Sequence, residues 1–249
     1  SDLENTYDLF SVQFASGNQG LGSSLAGYVT EGSGGVMIPE WFYSGYHLQG
    51  QDFRVDTLLV NDMKKLGDKR LETSVTEGYW DTTEHGFTPE DSAKHYKERC
   101  MMIKYLVKDN TNKTIKAWND YPLNFPILRP ADAYLLYAEA LINNNKASQA
   151  KEWIDAIRQR ADLSPLDHVP TMDDVMDERR YEFIGEGKRY FDLVRMGKDT
   201  FVSTLKNFSD HYEHVTKMGA NNPSEKDLLL PIPLTVMNIQ ASWTNNPGY

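Results

Sequence analysis

FPILRPADAYLLYAEAL, residues 125–141, is the stretch whose reading decides the fold class. After Pro126, Tyr134, Leu135, Ala138, Leu141 and Ile142 recur at the 3.6-residue spacing of a helix with one apolar face. Asn143–Asn145 closes that helix. Ala147 opens the next, which places Ala150, Trp153, Ile154, Ile157 and Ala161 on one side. The spacing predicts helices over 131–145 and 147–162, packed antiparallel, with Trp153 buried between them and their neighbours.

The pair spans about 33 residues, the length of one tetratricopeptide helix–turn–helix unit. One such unit cannot bury its apolar faces alone, so partner helices are expected upstream. Pro170 breaks the chain before a third helix, expected over 172–185. A fourth is expected over 187–197 and a short fifth over 200–208, followed by a polar loop and an extended Pro-rich tail. The fold class is mainly α: a tetratricopeptide-like helical pair joined to an irregular, loop-rich region with a few short strands.

That loop-rich region occupies residues 1–120, ahead of a helical region over 121–249, and the whole reads as one domain. Residues 7–14, YDLFSVQF, alternate as a strand does. SGNQGLGSSLAGYVTEGSGG (16–35) is too rich in glycine for a regular element. A helix is expected over 53–66, then a turn at Gly67–Asp68–Lys69–Arg70. Met101, Ile103, Tyr105 and Val107 alternate with period two, so MMIKYLV (101–107) and TIKAW (114–118) read as a β-hairpin.

Composition narrows the function. The chain has 249 residues and a formal charge of −10, a balance that argues against a phosphate-binding surface and hence against nucleic acid. Its single cysteine, Cys100, cannot form an internal disulfide and reads as a small buried residue. No apolar stretch approaches the roughly 20 residues that cross a bilayer.

The block ERRYEFIGEGKRYFDLVRMGK (178–198) invites a catalytic reading. Glu178, Glu182 and Glu186 are spaced i,i+4 and repel one another unless cations intervene. Arg180, Arg189 and Arg195 are interleaved with them, and guanidinium forks suit such pairing. A glycosidase needs two carboxyls facing each other across an open cleft. Occupied carboxylates do not meet that need, so the block reads as a structural network. His211 and His214 are spaced i,i+3 but lack a third ligand, so no metal site and no cofactor is expected. Serine-hydrolase, HExxH and phosphate-loop motifs are absent from the sequence.

Aromatic residues carry more functional content. Of five tryptophans only Trp153 fits a helix face. Trp41, Trp80 and Trp118 fall in irregular or edge segments, with Tyr43 and Tyr46 close to the first. Sugar rings pack flat C–H faces on indole and phenol rings, while amides, carboxylates and Arg hold their hydroxyls. Gln49, Asp52, Arg54, Asp81 and Asn119 could supply that polar part. Trp41, Tyr43, Tyr46, Trp80 and Trp118 are therefore the candidate ligand-binding residues.

One ordered set of segments resembles the C-terminal portion of the SusD/RagB family. It comprises Lys104–Tyr105, Arg129 with Asp132 and Ala138–Glu139–Ala140, Arg158 with Arg160–Ala161, the charged block, Pro231–Ile232–Pro233 and Asn246–Pro247–Gly248–Tyr249. Asp68–Lys69–Arg70 fits the same pattern, while Pro130 stands where an aromatic is usual and Asn245 where Gln is common. The resemblance implies a non-catalytic binder of oligosaccharide on the outer surface of the bacterial outer membrane. It implies delivery to a SusC-like TonB-dependent transporter, and membrane attachment only through an N-terminal lipid anchor. That anchor and further helical repeats would lie upstream of Ser1. The alternatives are a peptide-binding RagB-like member, a secreted glycoside hydrolase, which needs a free pair among Asp81, Glu84, Glu90 and Asp91, and a purely structural scaffold with its aromatics fully buried.

Overall fold

A computed structural model describes residues 8–17, 19–23, 54–77, 100–105, 120–216, 223–240 and 242–249. The chain divides into two compact units, Ser1–Gly187 and Lys188–Tyr249.

Two short sheets and five helices make up the described part of the first unit. Strand β1, Phe10–Val12, pairs antiparallel with β5, Phe125–Leu128. The predicted strand at 7–14 is thus present but shorter. Its continuation is tied to the same segment by side chains, Asn124 Oδ1 accepting from Phe14 N at 2.9 Å and Asp120 Oδ2 from Gly17 N at 3.0 Å. The second sheet has the order β2–β4–β3, with β2 Arg54–Val55, β3 Val75–Glu77 and β4 Cys100–Met102. This corrects the hairpin expectation: the neighbours of β4 are β2 and β3, and the strand ends at Met102. The proposed partner at 114–118 lies outside the described residues. Cys100 and Met102 share the face that enters the core, and Cys100 is buried as expected.

Helix α1, Thr57–Leu66, is capped by Asp56, whose carboxylate accepts from Leu58 N at 2.9 Å. A short α2, Arg70–Ser74, follows the Gly67–Arg70 turn. The helical pair is α3, Pro130–Asn143, and α4, Ala147–Arg160, each within two residues of the predicted bounds. Pro130 sits in the first turn of α3, where a missing N–H costs nothing. Helix α5, Met172–Glu182, starts with a capping box between Thr171 and Asp174.

Packing forms two apolar clusters. Leu59, Val60, Met63, Cys100, Met102, Tyr105, Tyr181 and Ile184 form one. Leu135, Ala138, Leu141, Ala150, Ile154, Ile157, Val175 and Phe183 form the other. Helix α5 and the turn after it contribute to both, so this segment is the seam of the unit. The chain is mainly α, as its patterning predicts.

Trp153 departs from expectation. It is half-buried at the margin of the second cluster, with ring centroids 5.0 Å from Tyr134 and 5.1 Å from Tyr137, both edge-to-face. Tyr134 and Tyr137 are themselves exposed, so the aromatic trio is a surface feature of the pair. Emptying a fully buried Trp site costs about 3–5 kcal/mol; half the burial plus two lost ring contacts gives about 2–3. Trp153→Ala is therefore expected to lower unfolding free energy by about 2–3 kcal/mol in urea melts. A loss under about 1 kcal/mol would remove Trp153 from the packing of the pair.

In the second unit, α6 spans Arg189–Arg195 and α7 spans Lys198–Thr216, well beyond the short helix expected at 200–208. A 3₁₀ turn, Glu225–Leu228, and α8, Leu234–Met237, interrupt the tail. The two tail motifs are joined. Asn245 Oδ1 accepts from Ile232 N at 2.7 Å, and Asn246 Nδ2 donates to Leu230 O at 2.6 Å. Tyr249 donates its hydroxyl to Asp227 at 3.2 Å, and its ring lies 4.9 Å from Lys226 Nζ.

Candidate functional site

Trp41, Tyr43, Tyr46, Trp80 and Trp118 all lie outside the described residues, as do Gln49, Asp52, Asp81 and Asn119. The same is true of Glu84, Glu90 and Asp91. What can be described is the charged block, a cavity beside it, and the residues that sequence reasoning did not connect to either.

Glu178, Glu182 and Glu186 run along α5 into the turn after it, and all three are buried in the seam between the two clusters. A carboxylate without partners there would cost several kcal/mol. Cations from four separate segments meet them. Arg70, opening α2, places Nη1 at 2.6 Å from Glu178 and 3.1 Å from Glu182. Arg129, capping α3, reaches Glu182 at 2.7 Å and Glu186 at 2.6 Å. Arg160, in the last turn of α4, pairs with Glu182, and Lys104, just after β4, pairs with Glu186. Arg70 is held in turn by Asp68, which accepts from its Nε at 2.9 Å, giving the Asp-x-Arg pattern its physical reason. A second buried pair, Arg179 with Asp132 at 2.7 Å, crosses from α5 to α3.

The network is structural, as the sequence predicts, but its cations are not those expected. Arg180 points to Asp56 and Asp62 around α1, Arg195 pairs with Asp192, and Arg189 and Arg195 belong to the second unit. Helical spacing puts Arg180 on the opposite side of α5 from Glu178 and Glu182, which explains the difference. The signal that could have found the true partners was present in Asp68–Arg70 and Arg129–Asp132.

Charge states follow from these contacts. Burial pushes the Glu182 carboxyl up, but hydrogen bonds and charge from Arg160 and Arg129 outweigh it and hold the group at about 2. Burial dominates at Glu178 and raises it, against the pull of Arg70 and Arg158. Lys104 is lowered by burial despite Glu186. The three glutamate side chains are no more than 2% exposed, and Glu178, which borders the cavity beside the network, is paired there with Arg70 and Arg158. Held by cations, these carboxylates do not form the pair of free carboxyls facing each other across an open cleft that hydrolysis of a glycosidic bond needs.

Beside the network, a cavity of about 450 Å³ opens between α4, α5 and the loop that joins them. Leu66, Arg158, Leu166, His168, Asp174 and Tyr181 are among its walls. That volume falls within the range of small-molecule pockets. No group of three or more His, Cys, Asp or Glu suited to a metal occurs among the described residues. The side chains of His211 and His214 are not among those described.

Comparison with known proteins places this geometry in context. A SusD_RagB model, described as the SusD family, matches residues 10–249. A SusD-like protein of Bacteroides ovatus is 37% identical over 112 residues, which cover 42% of this chain and 20% of that protein. The starch-binding protein SusD of Bacteroides thetaiotaomicron is 32% identical over 162 residues, covering 64% of this chain and 28% of that one. Among solved structures, a SusD homologue from B. thetaiotaomicron superposes with a TM-score of 0.75 at 22% identity, covering 98% of this chain and 52% of that chain. Surface glycan-binding protein A of the same species, in complex with laminarihexaose, gives 0.70 at 22% identity, covering 96% of this chain and 52% of that chain. The chain thus spans between a fifth and about half of the length of these relatives. Matched by the family model over nearly all of its length, this chain belongs to the SusD family.

Proposed function

We propose that this chain is part of a non-catalytic glycan-binding protein of the bacterial cell surface. The observation that carries the reading is its family membership, with support from the fold it shares with a surface glycan-binding protein crystallised with laminarihexaose. The buried carboxylate network supports the non-catalytic part, since Glu178, Glu182 and Glu186 are paired with cations that hold the fold. Oligosaccharide is captured reversibly and passed to a SusC-like TonB-dependent transporter. The protein sits on the outer surface of the outer membrane, held by a lipid anchor. No described helix is long and apolar enough to cross a membrane.

The ligand face is assigned to the loop-rich residues 1–120, with at least two of Trp41, Tyr43, Tyr46, Trp80 and Trp118 sharing one shallow concavity. Stacking on indole and phenol rings provides binding without covalent chemistry. Calorimetry against a panel of glycans that includes laminarin oligosaccharides tests this. Alanine at two of these positions is expected to weaken binding at least tenfold, about 1.4 kcal/mol, with little change in melting temperature. Unchanged affinity in every single and double variant would take these residues out of the site. Binding to peptides and to no glycan would move the protein to the peptide-binding branch of the family.

A further inference from the structure

The loop between α4 and α5 is held down at three points. Arg158 Nε donates to Ser164 O at 2.9 Å, and Asp155 Oδ1 accepts from Leu166 N at 2.8 Å. The third point is His168. Its Nδ1 lies 2.9 Å from Asp167 Oδ1, and its Nε2 lies 3.1 Å from both carboxylate oxygens of Asp174. Ionised carboxylates only accept hydrogen bonds, and a neutral imidazole carries a single N–H. Both contacts can be hydrogen bonds only when the ring is an imidazolium. Ser164, Leu166, Asp167 and His168 also form one wall of the 450 Å³ cavity.

We propose that residues 163–170 are a pH-sensitive gate on this cavity, closed when His168 is protonated between Asp167 and Asp174. Loss of the proton leaves one N–H for two acceptors. Asp174 stays in place, because Thr171 donates both its N–H and its hydroxyl to that carboxylate at 2.7 Å. Asp167, whose side chain is almost wholly in solvent, is the partner released. Asp167 lies in the same loop, so the tie to α5 is the contact to Asp174; it survives as a hydrogen bond without the imidazolium charge, and the wall is loosened rather than detached.

The surrounding charges favour the closed state at mildly acidic pH. On α5, Asp174, Asp177 and Glu178 line the cavity, while α4 supplies Arg158, and α1 contributes only the apolar Leu66. Lys151 on α4, paired with Asp155, acts on Asp167. Hydrogen bonds to Asp167 and Asp174 raise His168 above its ordinary value of 6.5. A group raised on folding stabilises the closed loop fully below that ordinary value. The contribution disappears as pH climbs through the raised one.

The experiment has two readouts on this chain. An NMR titration of the His168 ring is expected to report a pKa above 6.5, falling in Asp167→Asn, a change at an exposed position that leaves the α5 cap intact. Hydrogen exchange of 163–170 is compared with that of His168→Gln at each pH, which cancels intrinsic base catalysis. The wild-type rate relative to the variant is expected to rise roughly twofold to fivefold between about pH 5.5 and about pH 8.5, the scale of one exposed ion pair. A His168 that titrates at or below 6.5, or is unmoved by Asp167→Asn, overturns the clamp. A flat exchange ratio overturns the gate.

Discussion

Replacing Glu182 by glutamine is expected to destabilise the chain by about 3–5 kcal/mol, the cost of stranding buried charge. Three guanidinium groups converge on this carboxylate: Arg129 at 2.7 Å, Arg70 at 3.1 Å, and Arg160. The amide keeps the shape but removes the negative charge that offsets their desolvation. A buried ion pair is weak evidence of net stabilisation, since an apolar set of similar volume can do as well. The prediction concerns removal of one partner, where the remaining charges are left uncompensated. Glu72→Gln is the control: that residue pairs with Lys69 at 3.1 Å with both side chains in solvent, and its loss is expected to fall within about 0.5 kcal/mol. Urea melts of the two variants decide it, and equal stabilities would show that the network contributes nothing beyond a surface pair.

Acid titration gives the same network a sign. Glu182 is held at about 2, below the 4.5 of a free side chain. Its stabilising contribution is present above 4.5 and is lost as pH falls toward 2. Glu178, raised by burial, acts in the opposite direction and relieves a cost when it takes up a proton. Wild-type stability is therefore expected to fall between pH 4.5 and 2 more steeply than that of Glu182→Gln. Parallel curves would mean that Glu182 ionises in the folded chain as it does in the unfolded one.

The helical pair was legible because periodicity is local: Leu135, Ala138 and Leu141 face Ala150, Ile154 and Ile157 as their spacing requires. Trp153 was misplaced because a position beside the apolar stripe leaves a large ring at the edge of the core. The length of α7 was also available, since Phe201, Leu205, Phe208, Tyr212 and Val215 alternate steps of four and three. Polar neighbours obscured that stripe. Pairings across long separations were not legible. Arg129 meets Glu182 across 53 residues and Lys104 meets Glu186 across 82, so neighbouring arginines such as Arg180 looked equally suitable. Strand β2, two residues long, offers no alternation to detect. The aromatic site is a matter of composition and loop position, which name residue types suited to sugars but fix no geometry.

Alanine at Gly185 is expected to cost about 2–4 kcal/mol, for two reasons that a neighbouring glycine separates. Gly185 lies in the turn after α5 with φ +74°, and Gly187 follows with φ +72°. Each conformation is unfavourable for an L residue by about 1–2 kcal/mol, partly offset by the lower entropy of an unfolded chain carrying alanine. Their surroundings differ. A Cβ at Gly187 meets nothing within 4 Å. At Gly185 it would run into Met102 Sδ, come within 2.8 Å of Met102 Cε and 3.2 Å of Tyr105 Cε2. Met102 and Tyr105 are buried in the first apolar cluster, so they cannot swing into solvent to make room. Overpacking of this kind adds about 1–3 kcal/mol. Tyr105 also donates its hydroxyl to Gly185 O at 3.3 Å, so a shift of the turn would strain that bond as well. Gly187→Ala thus measures the backbone cost alone, and the difference between the two variants measures the packing of the α5 turn on β4. Equal losses in thermal melts would show that the turn does not rest on Met102, and the seam that buries Glu186 would then need another support.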